Sequence, residues 1–356
     1  MVRCVRLTDH LGKVDRGYLK KVIYPRLGAT HREIIVGPKF GVDNAVIKVG
    51  SGKVLLATTD PLSIIPGLKP SESAWLSVNL LASDLATGGC APQYGVFDFN
   101  LPPQMSNQQF ADYWKAFHAE CKRLGVAIVG GHTGRYQGCD YSIIGGGFMY
   151  TVCDQDRYLT SEMASGGDDI ILTKGLAVET TAILTRAFPR TIKQVLGAKL
   201  FENALRYLYK VSTVKDALTA ASVGTHQQGV TAMHDATEGG AIAAVLELAT
   251  ASGLGTEIDV DQIPISQETR EICKFFRINP LTSLSEGTLI IASRPHKTSR
   301  VLNQLKSAGI HSQVIGRLTT TRSVNALTKR GRLRLTYPRF DPYWRAYWKG
   351  TTKRWR

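Results

Sequence analysis

The sequence has no long hydrophobic run, no paired-cysteine motif and neither of the common phosphate-binding loops. No segment approaches the roughly 20 consecutive apolar residues that cross a bilayer, and the opening MVRCVRLTDH lacks the apolar centre of a signal peptide. The six cysteines form no CxxC pair, which argues against a zinc ribbon or a disulfide framework and predicts mostly buried, small apolar residues. We therefore expect a cytoplasmic protein with no membrane segment.

Neither GxxxxGK[ST] nor a GxGxxG that opens a helix occurs, so these two phosphate loops are excluded. What is present is a globular composition, 43% hydrophobic and 21% charged over 356 residues, which suits two domains of ordinary size. The net charge of +15 is unevenly placed. Residues 321–356 hold eleven Lys and Arg against one Asp, so this tail carries +10 and the rest of the chain about +5.

β-rich runs alternate with helical periods along the chain. In the first half, strands are predicted at 33–37, 44–50, 53–60, 94–101, 126–131 and 141–152, with helices from Ser71 and over 107–124. After a turn-rich linker at 157–167, strands are predicted at 168–174 and 230–235, with helices at about 176–188, 191–210, 214–223 and 238–253. The pattern indicates an α/β (α+β) protein with a helical segment at 1–30, domains at 31–156 and 165–320, and the basic aromatic tail at 321–356.

Four aspartates follow β-runs or an apolar helix and precede glycine or proline. Asp43 lies in GVDNAVI, Asp60 in LLATTDPL, Asp84 in VNLLASDLATGGCAP and Asp235 in AMHDATEGG. One such aspartate is usually a turn or cap residue, but four of them predict a magnesium site completed by phosphate oxygens. Because an unpaired buried carboxylate is costly, Asp84 is expected to be exposed, paired or bound to a cation.

Glycine clusters accompany these carboxylates at 130–134 (GGHTG), 143–148 (IIGGGF) and 237–245 (TEGGAIAAV). Glycine lets backbone amides approach phosphate oxygens closely, and a helix N-terminus adds partial positive charge. His132 stands between Gly131 and Thr133 after a buried strand. It is a candidate catalytic residue, with a structural role as the alternative.

The chain resembles the AIR synthase (PurM-like) superfamily over about residues 12–320, and within it the hydrogenase maturation (HypE) branch. Seven motifs carry the resemblance in the family's order: GVDNAVI, LLATTDPL, VNLLASDLATGGCAP, VGGHTG, GDDIILTK, MHDATEGGAIAAVLELATASG and NPLTSLSEGTLIIA. The resemblance implies a PurM-like two-domain fold. The N-terminal domain would pair with that of a second subunit into a β-barrel, giving a homodimer, and the C-terminal α/β domain would cover it.

The resemblance also implies an ATP site between the domains, with Mg²⁺ held by Asp43, Asp60, Asp84 and Asp235. His132, Asp84 and Asp235 would be catalytic. The expected cofactor-binding residues are Asp43, Asn44, Asn79, Gly130, Gly131, Thr133, Glu238, Gly239 and Gly240, with 130–133 forming the loop nearest the phosphates or the acceptor. Many relatives have Asp-Asp where this chain has Asp43-Asn44, so one charge is missing from a second metal site.

The function implied is an ATP-dependent, Mg²⁺-requiring enzyme that phosphorylates a small acceptor and could then dehydrate it. HypE proteins modify their own terminal cysteine, and because no cysteine follows Cys273, this self-modification is not expected here. Two alternatives stay open: a kinase of the thiamine-monophosphate type, and a non-catalytic nucleotide-binding maturation or RNA-associated protein.

The tail RGRLRLTYPRFDPYWRAYWKGTTKRWR interleaves seven arginines with three tryptophans and three tyrosines. Basic residues that contact phosphates, together with aromatics that stack on bases, would suit RNA. In the alternative that we favour, RLRLTY is a final strand and the aromatics of FDPYWRAYW pack on the domain. A basic rim could also steer an anionic substrate or partner.

Overall fold

The computed structural model describes residues 11–139, 142–329 and 331–355. The described chain begins with a helical turn, α1 (Arg16–Tyr18), that continues as a π-type turn over Leu19–Ile23. No residue of this segment is buried. Cys4 lies outside the described residues.

The first sheet has six strands in the order β1-β2-β3-β6-β4-β5, antiparallel except for β4 and β5. They are β1 (Ile34–Val36), β2 (Ala45–Gly50), β3 (Lys53–Ser63), β4 (Tyr94–Leu101), β5 (Ala127–Arg135) and β6 (Ile143–Asp154). Helices α2 (Pro70–Ala86) and α3 (Asn107–Leu124) contact each other, and their buried side chains share a core with those of the strands. Ser106 caps α3 by accepting a hydrogen bond from Gln109 N, and Gly125 ends the helix in the left-handed conformation.

The opposite face of this sheet exposes apolar side chains. Along β4 the buried residues alternate strictly with exposed ones, because successive side chains of a strand point to opposite faces. The exposed set on β4, β5 and β6 is Tyr94, Val96, Val129, Ile143, Phe148 and Val152. An apolar sheet face of this kind is typical of a protein–protein contact surface.

The second sheet has seven strands in the order β13-β12-β9-β11-β7-β10-β8. They are β7 (Asp169–Thr173), β8 (Val230–Asp235), β9 (Gly255–Asp259), β10 (Leu289–Ser293), β11 (Ser312–Thr319), β12 (Val324–Thr328) and β13 (Gly331–Arg334). The helices are α4 (Val178–Ala187), α5 (Pro189–Leu205), α6 (Val214–Ala221), α7 (Gly240–Ala251), α8 (Gln267–Phe276), α9 (Pro295–Ser307) and α10 (Pro342–Thr352). None of the helices in the described ranges is long and apolar enough to span a bilayer.

Helix α2 lies between the two domains. Ser83 Oγ accepts a hydrogen bond of 2.9 Å from Thr213 N, which precedes α6. Near the start of α2, Glu72 pairs with Arg186 of α4 at 2.9 Å. The largest apolar core also combines α2 and α3 with residues of α6, β8 and β10. The polar side chains of this helix therefore contact the second domain as well as the first.

The structure confirms the predicted α/β (α+β) class and its alternation of elements, with three corrections. The helix predicted at 191–210 begins at Pro189, ends at Leu205 and is interrupted at Gly197, whose φ of 75° is not helical. GGHTG is part of strand β5 and not a loop. Among the described cysteines only Cys121 and Cys273 are buried, whereas Cys90, Cys139 and Cys153 are partly exposed.

The tail packs on the second domain, as the favoured alternative predicts. Strand β13 pairs with β12 at the edge of the second sheet, so the sheet continues beyond residue 320. Asp341 caps α10 by accepting a hydrogen bond from Tyr343 N. Tyr343 and Tyr347 are buried in a cluster with Phe188 and others. These two rings are consequently not available to stack on RNA bases, whereas Phe340 and Trp348 of the same segment are exposed.

Candidate functional site

Asp84 is held by contacts at the C-terminal end of α2. Asn44 Nδ2 donates to Asp84 O at 2.8 Å and to Thr87 Oγ1 at 2.9 Å, which fixes the backbone of the last helical turn. Thr58 Oγ1 on β3 lies 3.4 Å from Asp84 Oδ2. The carboxylate therefore points from the helix toward the strands that carry the other predicted ligands.

The four aspartates that the sequence predicts as metal ligands converge. Asp84 is influenced electrostatically by Asp235, Asp60 and Asp43 in that order. Asp43 precedes β2 and Asp60 lies on β3, whereas Asp235 ends β8 of the second domain. The cluster therefore forms where the two domains meet.

These carboxyl groups hold their protons more strongly than usual. Burial, followed by the charges of neighbouring carboxylates, raises the pKa of Asp84 well above its ordinary value. Burial raises the pKa of Asp60 to about 6, and burial with the charge of Asp43 raises that of Asp235 to about 7. Such shifts arise when several anionic groups share a desolvated site, and here the opposing charges of Lys13 and His234 only partly offset them.

Two glutamates that the sequence reasoning missed belong to the same cluster. Glu179 in the first turn of α4 and Glu286 before β10 are both buried. Burial raises the pKa of each well above its ordinary value, and nearby aspartates, including Asp60, add to the effect. Glu286 lies in the motif NPLTSLSEGTLIIA, directly before a glycine and an apolar strand. The aspartates were selected by a similar pattern, so this pattern could have identified Glu286.

Oxygens of this cluster fit a divalent cation. Within the described part of the chain, Asp43 Oδ2, both oxygens of Asp235, Glu179 Oε2 and Glu286 Oε2 are buried without a hydrogen-bond partner. Buried polar atoms are nearly always paired, so unpaired carboxylate oxygens indicate a missing ligand. Mg²⁺ prefers a few carboxylate oxygens together with phosphate oxygens, and this donor set matches that preference.

His234 forms a buried ion pair beside the cluster. Its Nδ1 lies 2.7 Å from Asp43 Oδ1 and its Nε2 lies 2.8 Å from Glu247 Oε2. Burial by itself would lower the pKa of His234, but the two carboxylates outweigh it and raise that pKa well above its usual range. Ligand atoms of Asp43, His234 and Asp235 lie within 4.8 Å of one another. Since a protonated imidazole has no free lone pair, His234 acts as the positioning partner of Asp43.

The N- and C-terminal segments both contact the turn 237–240 between β8 and α7. Lys13 Nζ donates to Thr237 Oγ1 at 2.7 Å, and Lys13 N donates to Glu238 Oε2 at 2.7 Å. From the tail, Asp341 Oδ2 accepts a hydrogen bond of 2.8 Å from Gly239 N. The amide of Gly239, expected to bind the cofactor, is therefore used by the tail carboxylate.

Five predicted site residues do not join the cluster within this chain: Asn79 on α2, and Gly130, Gly131, His132 and Thr133 on β5. Asn79 is fully buried, and its Nδ2 donates to Glu120 Oε1 of α3 at 2.6 Å, on the side of α2 that faces α3. His132 lies on edge strand β5, opposite the exposed Asp98 in register, and its Nε2 contacts Tyr136 OH at 2.8 Å. Paired residues share a face, so His132 lies on the exposed face of the sheet, opposite α2.

Gly130, Gly131 and Thr133 are neighbours of His132 on β5. Two strands, β6 and β4, separate β5 from β3, which carries Asp60. At 4.7–4.9 Å per strand the separation is about 14 Å. Lys13 and His234 were also missed by the sequence reasoning, because no local pattern shows that distant segments will meet the aspartates.

Comparisons with known proteins identify the two domains. The AIR synthase related protein N-terminal domain model matches residues 41–149, and the corresponding C-terminal domain model matches residues 166–329. A Methanocaldococcus jannaschii protein named for hydrogenase expression/formation is 27% identical over 327 residues, covering 89% of this chain and 91% of that protein. The carbamoyl dehydratase HypE of Rhizobium leguminosarum bv. viciae is 26% identical over 288 residues, covering 78% of this chain and 74% of that protein.

The fold is also that of a solved kinase-type relative. The structure of AaThiL complexed with AMPPCP and TMP superposes with a TM-score of 0.65 at 19% identity, covering 82% of this chain and 88% of that chain. The two matched domain models, in chain order, coincide with the two sheets described above. The chain therefore belongs to the AIR synthase related family.

Proposed function

We propose that this chain is a Mg²⁺-requiring enzyme that transfers the terminal phosphoryl group of ATP to a small acceptor. An oxygen of the acceptor would attack the γ-phosphorus, ADP would leave, and the acceptor proton would pass to a carboxylate of the cluster or to water. The relatives named above support the use of ATP. Dehydration of the phosphorylated acceptor, with loss of phosphate, is a further step that the carbamoyl dehydratase relative suggests.

The observation that carries the proposal is the convergence of Asp43, Asp60, Asp84 and Asp235, in which Asp43 Oδ2 and both oxygens of Asp235 are buried without a hydrogen-bond partner. A bound Mg²⁺ would neutralise phosphate charge and orient the triphosphate. Aspartates of both domains would hold this ion, so the site is complete only when the two domains are packed together. We propose Asp84 and Asp235 as the residues nearest the reaction because they meet from the two domains: the charge of Asp235 raises the pKa of Asp84, whereas Asp84 lowers that of Asp235.

The test is ATP binding and ADP formation by the full chain, measured by calorimetry and by a coupled assay over a panel of small acceptors. Mg²⁺ is supplied or removed with a chelator. Asp84→Asn is expected to fold and to weaken binding of Mg·ATP by at least about 100-fold, since it removes a buried charge from the cluster. Absence of ATP binding by the wild-type chain would refute the proposal.

The matched control is Asp112→Asn, because Asp112 is an exposed aspartate on α3 that pairs only with its helical neighbour Gln108 among the contacts the structure describes. We expect its ATP affinity to equal that of the wild type. If Asp84→Asn bound Mg·ATP as tightly as this control, the assignment of the cluster would be wrong.

A kinase of the thiamine-monophosphate type is the second candidate. Its support is the shared fold with AaThiL, whose structure holds AMPPCP and TMP. The acceptor panel separates the two candidates: stoichiometric transfer of phosphate to a thiamine monophosphate would favour the kinase. Release of inorganic phosphate with loss of water from an amide-type acceptor would favour the HypE-like reaction.

We also propose that the chain is a homodimer through the exposed face of the first sheet. The supporting observation is the apolar set on β4, β5 and β6, in which Val96 is opposite Phe148 in register and Tyr94 is opposite Tyr150. Val96→Lys with Phe148→Glu is expected to convert the dimer to a monomer in light-scattering measurements. A monomeric wild-type protein at micromolar concentration would contradict this proposal.

A further inference from the structure

Cys90 and Cys153 lie together at the end of the first domain remote from the carboxylate cluster. Cys90 follows the turn after α2, and Cys153 lies near the end of β6. On β3 the residue opposite Cys153 is Val54, six positions from Asp60. At about 3.4 Å per residue this is about 20 Å along the strand, so the cysteine pair and the candidate active site are separate features.

The Cys90 and Cys153 side chains border the same cavity and are partly exposed to solvent. Both line a cavity of about 360 Å³ that is also bordered by Lys53, Arg157 and Ser222. Both are partly exposed, whereas Cys121 and Cys273 are buried. A small solute can therefore reach this pair more easily than the buried thiols.

The two thiols border one cavity and interact with each other. Their interaction, with Cys90 as donor, is the main cause that lowers the pKa of Cys153; Arg157 and Lys53 act in the same direction, against burial and the charge of Asp154. The thiolate is the reactive form of cysteine, and it is favoured near cationic groups. Cys153 is accordingly the better nucleophile and Cys90 the neighbouring thiol.

The backbone on both sides is fixed, so the pair stays together. Leu159 N donates to Gly88 O at 3.0 Å, which holds the turn that precedes Cys90. Val152 N donates to Gln93 Oε1 at 3.3 Å, which joins the segment after Cys90 to the strand that carries Cys153. The contact between the sulfurs thus comes from a rigid arrangement of two segments that are distant in sequence.

We propose that Cys90 and Cys153 are a redox-active dithiol that closes to an intramolecular disulfide by exchange with low-molecular-weight disulfides. The Cys153 thiolate attacks one sulfur of the small disulfide and releases a thiolate, giving a mixed disulfide on Cys153. Cys90 loses its proton to water and attacks the Cys153 sulfur, which forms the protein disulfide and releases the second small thiol. Two protein thiols are oxidised and one small disulfide is reduced to two thiols.

The test uses the full-length, fully reduced chain incubated with oxidised glutathione under native conditions. Remaining thiols are then blocked with N-ethylmaleimide and the protein is analysed by intact mass and non-reducing peptide mapping. The expected result is the loss of two reactive thiols, a decrease of about 2 Da before blocking, and a cross-linked peptide that joins Cys90 to Cys153. Stable glutathione adducts on the wild type without this cross-link would overturn the proposal.

Single variants separate the two roles. Cys90→Ser is expected to trap glutathione on Cys153, whereas in Cys153→Ser the modification of Cys90 should be slowed at least about tenfold. Cys139→Ser is the matched control, since Cys139 is also partly exposed but lies between β5 and β6, and it should form the cross-link at the wild-type rate. Equal modification rates of Cys90 and Cys153 in the two variants would contradict the assigned roles, and ATP binding is not involved in any readout.

Discussion

Replacement of Asp235 by asparagine is expected to stabilise the metal-free protein while it abolishes the proposed reaction. Asp235 is fully buried, and neither of its oxygens has a hydrogen-bond partner among the described residues. Its pKa is raised from 3.8 to about 7. Ionisation of this side chain in the folded protein is therefore costly, and asparagine has nearly the same shape without the charge.

The magnitude follows from the pKa. Between about pH 4 and pH 7 the folded chain keeps a proton on Asp235 that the unfolded chain has lost, so the free energy of unfolding falls as the pH rises through this range. A difference of about three pH units at about 1.4 kcal/mol per unit corresponds to about 4 kcal/mol. About 3 kcal/mol of this develops between pH 5 and pH 8.

The assay is urea-induced unfolding in the presence of a chelator at pH 5 and at pH 8. The gain in stability of Asp235→Asn over the wild type should be larger at pH 8 by about 3 kcal/mol, and saturating Mg²⁺ should stabilise only the wild type. Asp112→Asn should show no pH-dependent difference, because Asp112 is exposed. A gain that is equal at both pH values, or a loss at both, would refute the electrostatic reasoning.

Three further substitutions test how the site is positioned. Asn44→Ala removes both hydrogen bonds to the last turn of α2 and should lower the free energy of unfolding by about 2 kcal/mol in urea titrations. Glu72→Gln removes the carboxylate that pairs with the buried Arg186; we expect a cost of about 3 kcal/mol by calorimetric melting. Gly240→Ala places a Cβ 2.7 Å from Ser283 O at a φ of +64°. The variant should therefore melt several degrees lower than the wild type and bind ATP weakly. An unchanged melting temperature would contradict this packing.

Much of the fold could be predicted from the sequence because its signals are local. Alternating and helical periods located β3, β4, α3 and β8 to within a few residues. The break at Gly197 could not be predicted in the same way, since glycine within a helical pattern is compatible with a continuous helix.

The candidate site was predicted in part for the same reason. Asp43, Asp60, Asp84 and Asp235 each lie near the start or end of a strand or helix, and that pattern is visible in the sequence. Asn79 lies only five residues before Asp84 on the same helix, yet it faces α3, because five residues correspond to about 500° of helical rotation and so to a different face. The position of His132 could not be predicted from the sequence, because strand register determines the face of a sheet on which it lies.

The sequence by itself determined most of the strands and helices and the family, and it indicated four aspartates as candidate cation ligands. Only the tertiary structure decided that Glu179, Glu286 and His234 join these aspartates, that Lys13 and Asp341 hold the turn 237–240, and that Cys90 meets Cys153. The physical reason is the distance along the chain over which each kind of interaction acts. Backbone preferences and periodicity act over a few residues, whereas contact between segments distant in sequence depends on how strands, helices and the two domains pack together.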